Sequence, residues 1–281
     1  MTLRGRAAIV GISEIPTRRT MPDRSELGLI AEAVKMALDD AHLRKEDVDG
    51  LVGELFPGGP AEYMGMKLRY CQGVQLAGAT GAACITIAAA AINAGLANTI
   101  VVALAAARDS TGYLPAGGAP GASTGSEWEA PLGPAAGANN GYGLIYRRHM
   151  HEYGTTERQL AHISVNQRFN ALQNPNSAFR GQAITLEDVL NSRYINEPLK
   201  MLESVMPAAG GGAVVITSAE RAKSFPNRPV YVLGGAVGVS HGSHSWQIDR
   251  MTTSAVSMTA PDALKMAGYA TKDMQFAQFY D

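Results

Sequence analysis

The chain has 281 residues, of which 46% are apolar, and this is enough for one large α/β unit or two ordinary domains. Its 24 basic and 25 acidic side chains are spread along the chain and give a net charge of −1, which argues against nucleic acid or an anionic membrane as a partner. Only Cys71 and Cys84 occur, without a CxxC pair, so we expect a reducing, cytoplasmic compartment.

The N-terminal part predicts a β–α opening. A short apolar strand is expected over 7–11, and Ser25 is expected to cap the helix that follows. A further strand is expected over 48–55. The apolar positions of the helix recur at helical spacing and are Ile30, Val34, Ala37, Leu38 and Ala41.

The stretch "VQLAGATGAAC" predicts a strand end over 74–76, then a turn of small residues, then an alanine-rich helix over 84–95. Such a turn points backbone N–H groups and the helix dipole at whatever lies in front of it. A nucleophile would be expected at Gly78, where the side chain is missing. An apolar strand follows from Thr99, and the polar interruptions in 82–107 favour a buried helix and strand over a membrane span of about 20 residues.

The middle of the chain predicts a long excursion and then three helices. Residues 109–138 are rich in Gly, Pro, Ser and Ala, and loops of that length are usually functional or disordered. Helices are expected over 142–153 and 156–172, with Thr155 or Thr156 as the cap of the second one. Pro175 ends that helix, and "ITLED" (184–188) predicts another capped start.

The last part predicts a second β–α–β run. Buried strands are expected over 211–217 and 228–238, a helix over 258–266 and a strand over 274–280. This run stops at Asp281, from which we expect the C-terminal half to be incomplete in this chain.

Several polar residues allow both a structural and a functional interpretation. Cys84 lies beyond the first helical turn, where a dipole would lower a thiol pKa, so both cysteines are interpreted as buried structural residues. His149 and His151 are spaced i, i+2, which favours a solvated basic helix, with anion recognition as the alternative. "HGSH" (241–244) lacks partners for zinc and is expected to be a loop.

Two further features remain open on the residues alone. The glycines of "PAAGGGAVV" indicate close backbone packing rather than phosphate binding, because no GK[ST] or GxGxxG helix follows. Tyr280 ends an apolar pattern and by composition is a core or rim tyrosine.

The segments "AAIVGISEIP", "RSELGLIAEAVKMALDDAHLRKEDVDGL", "ISVNQRFNALQNP", "ITLEDVLNSRYINEPLKMLES" and "FAQFYD" occur in order along the chain. Together with the turn at 74–81 they resemble the thiolase superfamily, in its sterol-carrier-protein (non-specific lipid-transfer) branch. The nucleophilic cysteine of that branch aligns with Gly78, and the histidine of its late H-D-C-F segment aligns with Tyr280. The branch's D-G-A is here Ala209-Gly210-Gly211.

This resemblance implies an α/β thiolase fold, a five-layer α/β/α/β/α sandwich. Residues 1–255 would form the N-terminal half, with a loop region over about 110–205 that covers coenzyme A, and 256–281 would begin the C-terminal half. The two replacements are similar to those of thiolase-like aldolases of bacterial steroid side-chain breakdown, which lack the cysteine and use tyrosines.

The resemblance implies a retro-aldolase that splits a β-hydroxyacyl-CoA into a ketone or aldehyde and a short acyl-CoA, with coenzyme A as part of the substrate, no covalently bound cofactor and no metal. Tyr280 would be the acid/base, and the turn Gly78, Ala79, Thr80 and Gly81 would form the substrate-binding and oxyanion region. A homodimer and a small zinc-ribbon/OB-fold (DUF35-type) partner are implied, giving a heterotetramer. Two alternatives stay open, a β-ketoacyl-CoA thiolase, which could act on an aromatic acyl group, and a non-catalytic subunit that binds acyl-CoA or lipid.

Overall fold

A computed structural model describes residues 2–54, 57–107, 138–240 and 250–279. These residues form two compact units, the first of 2–107, 208–237 and 258–279, and the second of 138–207, 238–240 and 250–257. The boundary predicted at residue 255 between thiolase halves stays a prediction. The described helices include none that is long and apolar enough to cross a membrane.

Both units contain strands and helices, which are numbered here in chain order. The strands are β1 (Ala7–Arg18), β2 (Gly50–Gly53), β3 (Tyr70–Gly73), β4 (Thr99–Ala106), β5 (Tyr194–Asn196), β6 (Leu199–Lys200), β7 (Ala209–Ser218) and β8 (Val230–Val232). The helices are α1 (Glu26–Asp40), α2 (Gly58–Tyr63), α3 (Thr80–Asn93), α4 (Ala138–Tyr153), α5 (Glu157–Gln173), α6 (Leu186–Leu190) and α7 (Val256–Ala267).

The first unit contains a six-stranded mixed sheet in the order β3-β2-β4-β7-β1-β8. Strands β3, β2 and β4 are parallel, whereas β7 is antiparallel to both β4 and β1, and β8 pairs antiparallel with β1. Helix α3 belongs to one apolar cluster with β4 and β7, and α1 to the other with β1 and β7. Apolar residues therefore pack on both faces of this sheet.

The predicted helix starts are confirmed because capping is a local property of the sequence. The Ser25 side chain accepts the Gly28 N–H at 3.0 Å and caps α1, whose predicted apolar face is buried. Thr156 caps α5 in a capping box with Gln159, which decides between the two predicted caps. Thr185 caps α6 in the same way with Asp188.

The close packing predicted for the three consecutive glycines is confirmed at β7. A Cβ atom on Gly212 would lie 2.8 Å from the Ser13 carbonyl oxygen, and one on Gly211 would lie 2.8 Å from the Ala105 Cβ. Strand β7 lies between β4 and β1, and only glycine allows both neighbours to approach this closely.

Some strand predictions are wrong at their ends. The strand predicted over 228–238 is reduced to β8, because beyond it the chain passes close to two helices and a Cβ on Gly234 would lie 2.5 Å from the Ala263 carbonyl oxygen. Residues 274–279 are not a strand, since they pair with no strand of the described sheet, and Phe276 and Phe279 are exposed. Apolar residues in a short segment do not supply the neighbouring strand that a sheet requires.

The second unit combines α4, α5 and α6 with a small antiparallel pair, β5 and β6. Helix α4 begins four residues before its predicted start at 142. Its two arginines are paired with carboxylates, Arg147 with Glu197 and Arg148 with Glu152. These pairs support the interpretation of α4 as a solvated basic helix. Most of the predicted excursion over 109–138, and the "HGSH" loop, lie outside the described residues.

Candidate functional site

The turn that carries Gly78 lies at the carboxyl ends of the parallel strands. Strand β3 ends at Gly73, three residues earlier than predicted, because only the Val74 N–H still bonds to β2, donating to the Gly53 carbonyl at 2.9 Å. Residues 74–76 then lead into a 3-10 helix over Ala77–Ala79, which continues directly into α3. Ligands in open α/β sheets bind outside the carboxyl ends of strands, so the turn has the position of a binding site.

The backbone of this turn is constrained by hydrogen bonds on both sides of Gly78. The Thr80 hydroxyl donates to the Ala77 carbonyl at 2.8 Å and accepts the Leu76 N–H at 2.9 Å. Ala77 has φ of +47°, in the left-handed region that a residue with a Cβ atom rarely adopts. The turn is therefore held in a conformation that needs local support.

The four residues predicted to contact substrate differ in their accessibility. Gly78 and Ala79 are exposed, whereas Thr80 is 4% exposed. Gly81 is half-buried, and a Cβ atom there would lie 3.4 Å from the Leu104 Cδ1 atom of β4. Their role in substrate binding stays a prediction.

The hydrogen bonds of the turn indicate which donors can meet a ligand. The N–H groups of Leu76, Ala79 and Thr80 are used within the turn. In a helix of this kind the first N–H groups have no intrahelical partner, and here these belong to Ala77 and Gly78. An N–H group without an intrahelical partner at the start of a helix can stabilise negative charge, and Gly78 is an exposed residue at such a position.

Cys84 is buried within α3 and is not a candidate nucleophile in this fold. Its side chain is 0% exposed and belongs to the apolar cluster between α3 and the sheet. Burial, followed by the negative charge of Glu54, raises the pKa of the Cys84 thiol. A raised pKa lowers the thiolate fraction at neutral pH, which is the opposite of activation.

The prediction that Cys71 is buried is wrong. The residue lies in β3, which is an edge strand of the sheet, and it is exposed. Partial burial raises the pKa of the Cys71 thiol. The sequence could not show this exposure, because it depends on which strand lies at the edge.

Two carboxylates lie at the carboxyl ends of the parallel strands, and the sequence did not predict them as candidate site residues. Glu26 and Glu54 line a small cavity at the carboxyl ends of β2 and β4. Burial, with the negative charge of Glu54 adding to it, raises the pKa of Glu26. Glu54 lay inside the strand predicted over 48–55, and only the end of β2 at Gly53 places it directly after the strand.

Other polar residues singled out from the sequence have structural partners or lie outside the described part. His149 Nδ1 is 2.8 Å from the Thr155 hydroxyl, and its ring packs on Tyr153 at 4.5 Å between centroids. In the described ranges no group of three His, Cys, Asp or Glu side chains could hold a metal ion. Tyr280 lies outside the described residues, so its role stays a prediction.

Comparisons with known proteins give similarity along nearly the whole chain. No protein-family model matches the sequence. The chain is 35% identical over 256 residues to the steroid side-chain-cleaving aldolase of Thermomonospora curvata, covering 86% of this chain and 64% of that protein. It is 33% identical to the 17-hydroxy-3-oxo-4-pregnene-20-carboxyl-CoA lyase of Mycobacterium tuberculosis, covering 99% of this chain and 76% of the lyase.

The fold is similar to solved structures of a thiolase-like protein and of an aldolase. A monomeric SCP2-thiolase-like protein of Mycobacterium smegmatis superposes with a TM-score of 0.75 and 19% sequence identity, over 96% of this chain and 58% of that chain. The Ltp2-ChsH2(DUF35) aldolase superposes with a TM-score of 0.87 and 31% sequence identity, over 97% of this chain and 72% of that chain. This chain thus spans between about two thirds and three quarters of the lengths of the two aldolases and the lyase.

Proposed function

This chain belongs to the thiolase superfamily, in the group of thiolase-like steroid side-chain aldolases, and we propose from that premise that it is a carbon–carbon lyase. The resemblance is confirmed by the aldolase and lyase relatives, and the thiolase fold expected from the sequence is confirmed by the superposed structures. The observation that supports the proposal is the turn, in which Gly78, aligned by the family register with the nucleophile, is exposed while Cys84 is buried.

The reaction proposed is the retro-aldol cleavage of a β-hydroxyacyl-CoA with a steroid side chain. A base takes the proton of the β-hydroxyl group, the bond between Cα and Cβ breaks, and its electron pair forms the enolate of a short acyl-CoA. The Cβ atom becomes the carbonyl carbon of a ketone or aldehyde. Protonation of the enolate at Cα completes the balance, so no oxidant, metal or free coenzyme A is consumed.

The turn supplies the electrostatic part of this reaction in our proposal. The enolate oxygen gains negative charge in the transition state, and a fixed N–H group aimed at that charge lowers the barrier. The support for this role is that Gly78 is exposed and lies in the 3-10 helix directly before α3. Because a retro-aldol step needs no covalent acyl-enzyme, the reaction can proceed with a glycine at this position, and the missing side chain leaves space for a bulky substrate.

Tyr280 is proposed as the acid/base that moves the β-hydroxyl proton. The support is the family register, in which a tyrosine replaces the histidine of the thiolases. An ordinary phenol has a pKa of about 10, so its surroundings would need to tune it for work at neutral pH.

The proposed substrate is an ester of coenzyme A, and no covalently bound cofactor is needed. We propose a homodimer that binds a small zinc-ribbon/OB-fold protein of the DUF35 type, giving a heterotetramer. The support for that partner is the Ltp2-ChsH2(DUF35) aldolase, a similar protein whose name includes one.

A test of the proposed function compares the two coenzyme A reactions directly. The full-length protein, co-purified with its DUF35-type partner, is incubated with a steroid β-hydroxyacyl-CoA in the absence of free coenzyme A. We expect equal amounts of ketone or aldehyde and short acyl-CoA by mass spectrometry, and no acyl adduct on the protein. Cleavage only of a β-ketoacyl-CoA, and only with free coenzyme A, would support a thiolase instead. No cleavage of either ester would support a binding subunit.

A further inference from the structure

We infer that Thr80 is a positioning residue that holds the turn at Gly78 in its working conformation, rather than a residue that binds substrate. This inference rests on the proposed lyase function and concerns the same site. The family resemblance placed Thr80 in the oxyanion region together with its neighbours. The hydrogen bonds of the turn give it a separate task.

The Thr80 hydroxyl has no proton left for a ligand. A hydroxyl group has one donor, and that of Thr80 is used by the Ala77 carbonyl at 2.8 Å. The same oxygen accepts the Leu76 N–H at 2.9 Å, and the residue is 4% exposed. It therefore cannot donate to an enolate oxygen without breaking the turn.

The two hydrogen bonds of the Thr80 hydroxyl connect the parts of the turn on either side of Ala77, whose backbone conformation is unfavourable. Leu76 and Thr80 lie on either side of Ala77, which has φ of +47°. Ala77 has a Cβ atom, so this conformation persists only if surrounding contacts maintain it. Because Gly78 follows directly, the direction of its N–H group depends on the torsion angles of Ala77.

Loss of the hydroxyl is therefore expected to move the Gly78 N–H more than it disturbs the packing of α3. Without the hydrogen bonds of the Thr80 hydroxyl, the Ala77 backbone can relax toward the right-handed or extended region. A catalytic group displaced by about 1 Å costs about a hundredfold in rate. Contacts with coenzyme A are made in both ground and transition states, so kcat should fall while KM changes little.

The experiment uses three single variants of the full-length protein with its partner. Thr80→Val keeps the shape and removes the hydroxyl, and we expect kcat to fall by about a hundredfold with KM within about threefold of wild type. Thr80→Ser restores the hydroxyl and should recover most of the loss. Thr86→Val is the matched control in the same helix and should leave turnover unchanged, because among the described residues the Thr86 hydroxyl bonds only the Ala82 carbonyl, at 3.0 Å.

Hydrogen exchange gives a second readout that does not need turnover. Peptides that contain residues 74–80 should exchange faster in Thr80→Val than in wild type or Thr86→Val, because the Leu76 N–H loses its acceptor. If Thr80→Val does not fold, the pair Ala77→Gly and Ala77→Gly/Thr80→Val replaces it, since glycine adopts positive φ without strain. The double variant should then be at least tenfold slower than Ala77→Gly alone.

Different results overturn the inference and the proposed function. Thr80→Val with wild-type kcat and wild-type exchange would show that the hydroxyl positions nothing. Thr80→Ser as slow as Thr80→Val would show that the methyl group, not the hydroxyl, matters. A wild-type protein that cleaves no β-hydroxyacyl-CoA would overturn the lyase proposal, while the exchange comparison would still decide whether Thr80 holds the turn.

Discussion

The two units bury different kinds of polar group. Among the described residues of the first unit the buried polar residues are threonines, and the hydroxyls of Thr80 and Thr217 donate to backbone carbonyls. In the described part of the second unit the buried polar residue is Lys200, 3% exposed and paired with the Glu157 carboxylate. Neutral hydroxyls do not titrate in the physiological range, so the hydrogen bonds that hold the turn at Gly78 do not depend on pH. The stability of the second unit, in contrast, depends on the charges of Lys200 and Glu157.

The charge cluster of the second unit joins its helices to its small sheet. Lys200 also lies over the Tyr194 ring at 4.6 Å, and the Tyr194 hydroxyl donates to Glu157 Oε1 at 3.1 Å. Burial works against the charge of Lys200, but the Glu157 carboxylate outweighs it and the pKa of Lys200 is raised. The Tyr146 hydroxyl nearby donates to the Thr156 carbonyl at 3.1 Å, and burial with the surrounding carboxylates raises its pKa to about 12.

The largest change in stability is expected from Lys200→Met, which removes the buried charge and leaves its partner unpaired. Loss of one partner of a fully buried ion pair costs about 3–5 kcal/mol in the free energy of unfolding, and because the Glu157 side chain is 33% exposed we expect the lower end, about 3 kcal/mol. Lys35→Met is the matched control, because the Lys35–Asp39 pair is exposed and should change stability by less than about 1 kcal/mol. Urea unfolding at pH 7 measures both.

The same pair predicts an acid-sensitive component of stability. The bond from Lys200 holds the pKa of Glu157 below its ordinary value of 4.5, so this stabilisation is present above that pH and is lost as the pH falls through the lowered pKa. Lys200→Met should lack this loss, and Lys200→Met/Glu157→Gln should recover part of the stability. A Lys200→Met protein as stable as wild type would contradict the contrast between the units.

A smaller loss is expected in the first unit from Gly212→Ala. The new Cβ atom would lie 2.8 Å from the Ser13 carbonyl oxygen across the pairing of β7 with β1, so backbone must move. Overpacking of this kind costs about 2 kcal/mol. Gly59→Ala adds a methyl group with nothing within 4 Å and should be neutral or slightly stabilising. Equal stability of the two variants would contradict the packing described for β7.

A smaller and opposite effect is expected from Glu203→Gln in the second unit. Oε1 of Glu203 is buried without a hydrogen-bond partner among the described residues, and burial raises the pKa of this carboxyl group above 4.5. The wild type therefore loses stability as the pH rises through the raised pKa, and the amide does not. We expect the variant to gain about 1 kcal/mol relative to wild type between pH 4 and pH 7. A pH-independent difference would contradict this.

No effect on turnover is expected from Cys84→Ala. The thiol is buried with a raised pKa, so iodoacetamide at neutral pH should leave it unmodified in the folded protein, while the exposed Cys71 is labelled. Peptide mass mapping after a time course measures both sites. Rapid labelling of Cys84 accompanied by inactivation would favour the thiolase alternative.

The sequence predicted what is decided locally and missed what is decided by distant partners. Caps at Ser25, Thr156 and Thr185 depend on residues three positions away, and all three are confirmed. The exposure of Cys71 depends on strand order, and the strand predicted over 274–280 needed a neighbour that the pattern could not supply.

The candidate site also has features that the sequence predicted and features that it did not. The turn could be found from its small residues and the family register, because strand, turn and helix are contiguous. The strained conformation of Ala77 and the two bonds of Thr80 could not, since alanine gives no sequence signal for positive φ. Burial of Lys200 was also missed, because its partner Glu157 lies 43 residues away.

Carbon–carbon cleavage is proposed to use Tyr280 and a turn whose nucleophile position holds glycine, and the variant Tyr280→Phe tests this proposal. In the full-length protein with its DUF35-type partner, removal of this one hydroxyl should lower kcat by about 10²–10⁴-fold, with KM for the β-hydroxyacyl-CoA within about threefold. Tyr269→Phe, the same deletion at a tyrosine that is 45% exposed, should leave kcat unchanged. Turnover of Tyr280→Phe within about threefold of wild type at saturating substrate would contradict the proposal.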